Sequence, residues 1–317
     1  MFTIEQMGRL VNGLRNVMAL ENVEEFTIEV NPDDVTRDYV AGLVSLGVNR
    51  ISMGMQSFND AELAAIGRRH TSQQAIDAVK AIRVGGIGNV SIDLIYGLPS
   101  QTLHTWQASV EQAIELHPEH ISAYALSYEP GTALWHQRER GEVCETDEDV
   151  SVAMYRLLID SLREAGYEHY EISNFAKPGY ESRHNLKYWN LDDYAGFGPG
   201  AHSYMTDETT GQGQRYYHLP DLEAYLKEPS KVEMMEPNGY ADDMTEFTIT
   251  ALRLARGIDK IEFCERFGQD FWEFYGDLAH LQFKSFMDTG HAWESEEGIG
   301  LTLKGFNVSN QILSIFV

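Results

Sequence analysis

VSIDLIYGLP, running from Val90 to Pro99, decides how this chain is read. Val90, Ile92, Leu94 and Ile95 make a nearly continuous apolar run, the pattern of a strand buried on both faces of a parallel sheet. Asp93 interrupts it, and a carboxylate in a buried strand is costly unless it is paired or hydrogen-bonded. Gly97-Leu98-Pro99 ends the strand, and Thr102 is placed to cap a helix whose apolar pattern runs from Trp106 to Leu116. An acid near the carboxyl end of a parallel strand is where α/β barrels hold their chemistry. A structural Asp that caps the turn is the alternative.

The flanking sequence repeats the unit. On the N-terminal side, Phe26 to Val30 reads as a strand stopped by Asn31-Pro32, and a helix capped by Asp34 or Thr36 runs to Leu46 and Gly47. Val48 to Met55 is the next strand, closing on Gln56, followed by a short helix from Glu62 to Ile66 and another capped by Ser72. On the C-terminal side, Ile121 to Leu126 is a further strand. This alternation predicts βα units on a parallel sheet, all crossing over with one hand. The strands end in polar residues, Glu29, Gln56, Asp93, and Ser127 with Glu129, which would converge on one rim. The first element, Thr3 to Leu20, is an amphipathic helix rather than a strand, so the expectation is an N-terminally truncated barrel.

Beyond Gly131 the texture changes. Asp147 to Ala165 is a long amphipathic helix and Tyr170 to Phe175 a strand. A dense aromatic and glycine stretch follows, with His184, Asn185, Tyr188, Trp189, Tyr194, Phe197 and His202. Thr206 to Gln214 reads as a mobile surface loop. From about Asp243, three helices, a hairpin over Ala292 to Leu303 and a closing helix over Val308 to Phe316 make a winged-helix-like plan. The expected division is therefore 1–205 for the partial barrel with the aromatic motif, 206–242 for a linker or loop region, and 243–317 for the helical domain.

With 317 residues, 43% of them apolar, the chain can bury a sizeable core. Its net charge of -25 repels phosphate backbones, which argues against nucleic acid even for a winged-helix-like domain. Cys144 and Cys264, the two cysteines, stand at no motif spacing and fit a reducing, cytoplasmic setting. No apolar run is long enough for a membrane span, and MFTIEQMGRL lacks the features of a secretory signal.

The series IEVNPDD, NRISMGMQSFND, GRRHT and SIDLIYGLPSQT resembles the radical S-adenosylmethionine (SAM) proteins of the oxygen-independent coproporphyrinogen III oxidase group. HNLKYW, with DDYAGFGPGAHSY, is similar to the HemW-type haem chaperone branch of that group. The resemblance covers nearly the whole chain. It implies an α/β fold: a partial (βα)6 TIM-like barrel of the radical SAM type lacking its first strands, plus the C-terminal mainly helical domain. It implies SAM, a [4Fe-4S] cluster and haem as cofactors. The family's CxxxCxxC cluster motif and its GGGT-like segment are absent from this sequence, and such clusters need thiolate ligands.

Carried over residue by residue, the resemblance assigns SAM contacts to Glu29, Gln56, Arg68 and Asp93, with Arg68 suited to the methionyl carboxylate. It assigns haem contacts to His184, Asn185, Tyr188 and Trp189. His184 is the candidate iron ligand and His202 a second; Cys144 and Met205 are weaker ones. A solvated pair of Arg68 with Arg69, and an aromatic core cluster around His184, are the structural alternatives. The function implied is haem binding and delivery to haem-accepting proteins. The competing functions are oxidative decarboxylation of coproporphyrinogen III and an inactive fragment. The edge left at Phe26 to Val30 keeps self-association, as in a homodimer, open.

Overall fold

The computed structural model describes residues 2–235 and 238–317. The chain forms two compact units, one of residues 1–169 with 173–181, the other of 170–172 with 182–317.

The first unit follows the βα alternation. Helix α1 (Ile4–Arg15) precedes β1 (Thr27–Val30), α2 (Arg37–Leu46), β2 (Arg50–Gln56), α3 (Asp60–Ala65), α4 (Ser72–Val84), β3 (Asn89–Tyr96), α5 (Leu103–Glu115), β4 (His120–Ala125), α6 (Ala133–Glu139) and α7 (Glu148–Glu164). The order β1-β2-β3-β4 is parallel throughout, as short strands joined by helices require. Helix ends follow their capping residues. Thr36 caps α2 and Gly47 closes it at φ 99°, where a side chain would be strained. Thr102 caps α5. Thr71, not Ser72, caps α4, because the Thr71 hydroxyl and the Gln74 side chain close a reciprocal box.

Two sequence expectations change here. Tyr170 to Phe175 is not one strand but two, β5 (Glu168–Glu171) and β6 (Asn174–Ala176). β6 runs antiparallel to β4, so the parallel pattern stops at the fourth strand. The strands are also not apolar on both faces. Ile51, Met53, Val90, Ile92, Leu94 and Ile121 face the helices and are buried. The alternate positions, Arg50, Ser52, Ser91, Asp93, His120 and Ser122, share the other face, since in-register parallel partners point the same way. On the apolar side, Trp106 of α5 is fully buried and donates to the Met154 carbonyl of α7 at 2.9 Å.

Helix α8 (Arg183–Trp189) lies in the second unit, so the HNLKYW residues cluster with the C-terminal part of the chain rather than with the barrel strands. The segment read as a linker carries regular structure. β7 (His202–Thr206) and β8 (Gly213–Tyr217) form an antiparallel hairpin, with α9 (Leu222–Lys227) and β9 (Glu233–Met234) after it. Asp207 Oδ1 accepts from the amides of Thr209 and Thr210, both at 2.8 Å, and so holds the turn of this hairpin in place of the expected mobile loop.

α10 (Tyr240–Ala251), β10 (Ile258–Asp259), α11 (Lys260–Phe267), α12 (Phe271–Asp288), β11 (Ala292–Glu294) and β12 (Gly298–Leu301) give the helices and antiparallel sheet of the winged-helix-like plan. The expected closing helix is α14 (Ser309–Leu313) continued by a 3-10 turn over Ser314–Phe316, and a short helix not expected from the sequence, α13 (Leu303–Asn307), precedes it. Phe247, Phe263, Phe271 and Phe283 are its largest fully buried side chains.

Glu294 ties this unit together. It accepts from Lys260 Nζ at 2.8 Å, from Trp272 Nε1 at 2.7 Å and pairs with His280 Nε2 at 2.9 Å. Burial alone would raise its carboxyl, but these donors outweigh burial and bring it to about 2, below its ordinary 4.5. A depressed carboxyl stabilises the fold above its unfolded value and ceases to as pH falls through the folded one. Thermal unfolding of the second unit should therefore lose stability between about pH 4.5 and 2, and Glu294→Gln should flatten that dependence while lowering stability at neutral pH.

Candidate functional site

The rim at the carboxyl ends of β1 to β3 is built by register. Glu29 pairs with Ser52, and Asp93 pairs with Gly54 on one side and Ser122 on the other. Ser52 Oγ donates to Asp93 at 3.2 Å. Desolvation raises the Asp93 carboxyl from 3.8 to about 6, against hydrogen bonds from Ser122 and Ser52; the Glu29 charge adds to the rise and Arg50 opposes it.

β2 ends in a bulge between Gly54 and Gln56, and Gln56 adopts φ 66°. A side chain at position 54 would collide with Gln56 Nε2, which lies 2.7 Å from where its Cβ would stand. The Gln56 amide therefore folds over Gly54, beside Asp93's backbone partner. A side chain at position 54 would displace the Gln56 amide from this place.

Arg68, after α3, is half-buried and donates to Asn31 Oδ1 at 3.3 Å, at the exit of β1. Arg69 is exposed and pairs with Asp33 at 2.8 Å. The two arginines therefore part company, and Arg68 joins the rim.

Sequence reading missed what stands beneath this rim. Arg50 is 4% exposed and its Nε has no hydrogen-bond partner. Ser91 Oγ and His120 Nδ1 are 2.8 Å apart, and burial, with Arg50 nearby, holds the His120 imidazole well below its usual range. It also missed a buried brace between the turns after β2 and β3. Ser57 Oγ donates to Glu62 Oε2 at 2.6 Å, Gln101 Nε2 donates to the same oxygen at 3.0 Å, and Gln101 Oε1 accepts from Gly97 N at 2.7 Å. The available signal was the period-2 alternation of Arg50, Ser52, Gly54 and of Ser91, Asp93.

In the second unit, Ser182 caps α8. Residues four apart on a helix share a face, so His184 and Tyr188 form one pair and Asn185 and Trp189 another. His184 is exposed, and its Nε2 lies 3.0 Å from Tyr188 Oη. Tyr188 stacks edge-on to Tyr194 at 4.5 Å, and Tyr194 lies 6.4 Å from Tyr204. Trp189 turns the other way, under the Arg253 guanidinium at 4.6 Å. His202 is exposed on β7 and stacks on Tyr217 at 5.5 Å. Met205 is exposed on the same strand.

The radical SAM superfamily pattern matches residues 6–113, and the HemN C-terminal domain matches 241–308. The "Heme chaperone HemW" of Lactococcus lactis subsp. lactis (strain IL1403) is 35% identical over 99% of this chain and 80% of its own length. This chain belongs to the HemW family. The HemW protein of Escherichia coli (strain K12) is 33% identical over 98% of this chain and 79% of its own length. The solved coproporphyrinogen III oxidase HemN of Escherichia coli, a radical SAM enzyme, superposes with a TM-score of 0.81 at 21% identity, covering 99% of this chain and 74% of that one. At that identity the match establishes the fold: a radical SAM-type α/β barrel with a helical C-terminal domain.

The radical SAM superfamily implies SAM and a [4Fe-4S] cluster. The donor set has the polarity that SAM requires: Asp93 and Glu29 are acceptors on one face of the sheet, and Arg68 is a donor held by Asn31 just past β1. The cluster does not fit the residues of this chain. Cys144 and Cys264 are exposed and belong to different units, and among the described residues no group of three or more His, Cys, Asp or Glu could hold a metal ion. No step through a cluster is therefore derived. Among the described residues, no helix is long and apolar enough to cross a membrane.

Proposed function

We propose that this chain binds haem and hands it to haem-accepting proteins, a reading that extends to it the heme chaperone role for which its HemW relatives are named. What carries the reading is the identity to HemW proteins over nearly the whole chain, joined to an exposed histidine on the HNLKYW helix. If His184 Nε2–H donates to Tyr188 Oη, the Nδ1 lone pair faces solvent as a ligand, oriented by the phenol. Tyr188 and Tyr194 extend an aromatic surface beside it, suited to an apolar macrocycle. Ser182 Oγ accepts from the Asn185 backbone N–H at 3.3 Å and so fixes the start of this helix. His202 is the comparison ligand, with Met205 and Cys144 weaker ones.

On the barrel rim, Asp93 and Glu29 would accept from the SAM ribose hydroxyls or methionyl ammonium, Arg68 would pair with its carboxylate, and Gln56 would serve either. The cytoplasm is the setting in which we place the protein.

Delivery is tested by transfer. The haem-loaded chain is mixed with an apo haem protein, and the acceptor's Soret band is followed. Transfer faster than spontaneous haem loss from a nonspecific carrier such as serum albumin is expected. Transfer at the carrier's rate would overturn delivery.

A further inference from the structure

Among the described residues, Arg253 of the second unit is an arginine with no side-chain hydrogen bond or ion pair. Its backbone is pinned: its amide donates to Thr250 O at 3.1 Å, its carbonyl accepts from Ile172 N at 3.2 Å, and Ala255 N donates to Tyr170 O at 2.9 Å. Its side chain is not. The guanidinium carbon lies 4.6 Å from the centre of the Trp189 ring, and Nε is buried without a hydrogen-bond partner. Among the described residues it forms no ion pair.

The neighbouring arginines differ. Arg215 holds Glu246 with two nitrogens, at 3.2 and 2.9 Å. Arg256 reaches Glu262 and Asn190, and Arg266 donates to the carbonyls of Asn190 and Leu191. In a chain with 49 acidic and 24 basic residues, a guanidinium without a carboxylate is not short of candidates. Trp189 Nε1, on the ring that Arg253 covers, is a second buried donor without a partner. Two neighbouring buried donors without an acceptor, one over the ring face and one on its edge, cost stability until an acceptor arrives.

We propose that Arg253 and the Trp189 indole N–H recognise a carboxylate, the side-chain propionate of the tetrapyrrole cargo. A carboxylate is acceptor-only and matches the planar fork of a guanidinium, which also uses its face on the indole. Trp189 shares a helix with His184. Trp189 lies about 7.5 Å further along the helix and about 140° around it from His184, so it is a flexible propionate arm, and not the macrocycle ring, that would reach it. The proposal rests on the tetrapyrrole reading of α8 and adds to it the group that selects a dicarboxylic porphyrin over a neutral one.

The test uses the full chain with metal-free protoporphyrin IX and its dimethyl ester, which need no axial ligand. Porphyrin emission and tryptophan quenching give the two affinities. The wild type should bind the diacid at least about tenfold tighter than the ester. Arg253→Gln should bring that ratio close to one by weakening the diacid alone, and Trp189→Phe, which keeps the stacking surface, should reduce it. Arg253→Lys keeps the charge over the indole and should retain part of the preference, so a folded variant is available if the glutamine variant does not fold.

Equal affinities in the wild type, an unchanged ratio in both Arg253 variants, or no porphyrin bound at all would each overturn the proposal. His184→Ala separates the two readings. It should leave the ratio intact while altering the Soret band of bound haem. An unaltered Soret band with an intact ratio would remove His184 as a ligand and leave the carboxylate pair standing.

Discussion

Asp93→Asn is expected to make the protein more stable at neutral pH, by up to about 3 kcal/mol. The carboxyl is raised from 3.8 to about 6, so the folded state prefers it protonated. A group of this kind contributes stability below its unfolded value and loses it as pH rises through the folded value. Denaturant unfolding of the wild type should therefore weaken between about pH 4 and 6, relative to the variant, and stay weaker above. Asparagine keeps a side chain of similar size and can still bond to the Ser52 and Ser122 hydroxyls. A structural turn-capping Asp would behave in the opposite way, and its removal would cost stability. Isothermal titration with SAM should show the accompanying loss, since an amide cannot compensate an ammonium. An Asp93→Asn protein that is less stable at neutral pH, with no flattening of the acid limb, would remove Asp93 from the site.

Trp106→Ala is expected to destabilise the first unit by about 3–5 kcal/mol. Trp106 is fully buried, stands 5.7 Å from the Tyr96 ring, and donates to Met154 O across α5 and α7. Alanine leaves a cavity too large for the two helices to close over. The melting temperature should fall by roughly 10 °C. A conservative replacement by phenylalanine, which keeps most of the volume and loses the N–H, should cost less than half as much. A drop of only one or two degrees on Trp106→Ala, by calorimetry, would mean that the helical layer is loosely packed there.

The two units were legible to different depths. Turn and cap chemistry is local, so Gly47, Thr36, Thr102 and the Gly97-Leu98-Pro99 stop could be read directly, and with them the βα order. Strand ends follow from the same stops, which is why Glu29, Gln56 and Asp93 could be placed on one rim. The polar inner face was hidden because Ile95 follows Leu94 and makes VSIDLIY look continuously apolar. The alternation of Arg50 with Ser52 and of Ser91 with Asp93 only acquires meaning when register aligns the strands. The antiparallel β6 was hidden because the turn at Ile172-Ser173 is tight and carries neither glycine nor proline. In the second unit, HNLKYW drew attention to four residues as a group, whereas helical periodicity splits them into two faces. Arg253 had no sequence signal at all, since an unpaired arginine is defined by what does not approach it.

Haem titration of the wild-type chain beside His184→Ala and His202→Ala is the most direct test of the central claim. Saturable, stoichiometric binding by the wild type is expected, with a Soret shift that His184→Ala weakens and His202→Ala leaves in place. Indistinguishable titrations for all three proteins would contradict the account and reduce HNLKYW to a packing motif.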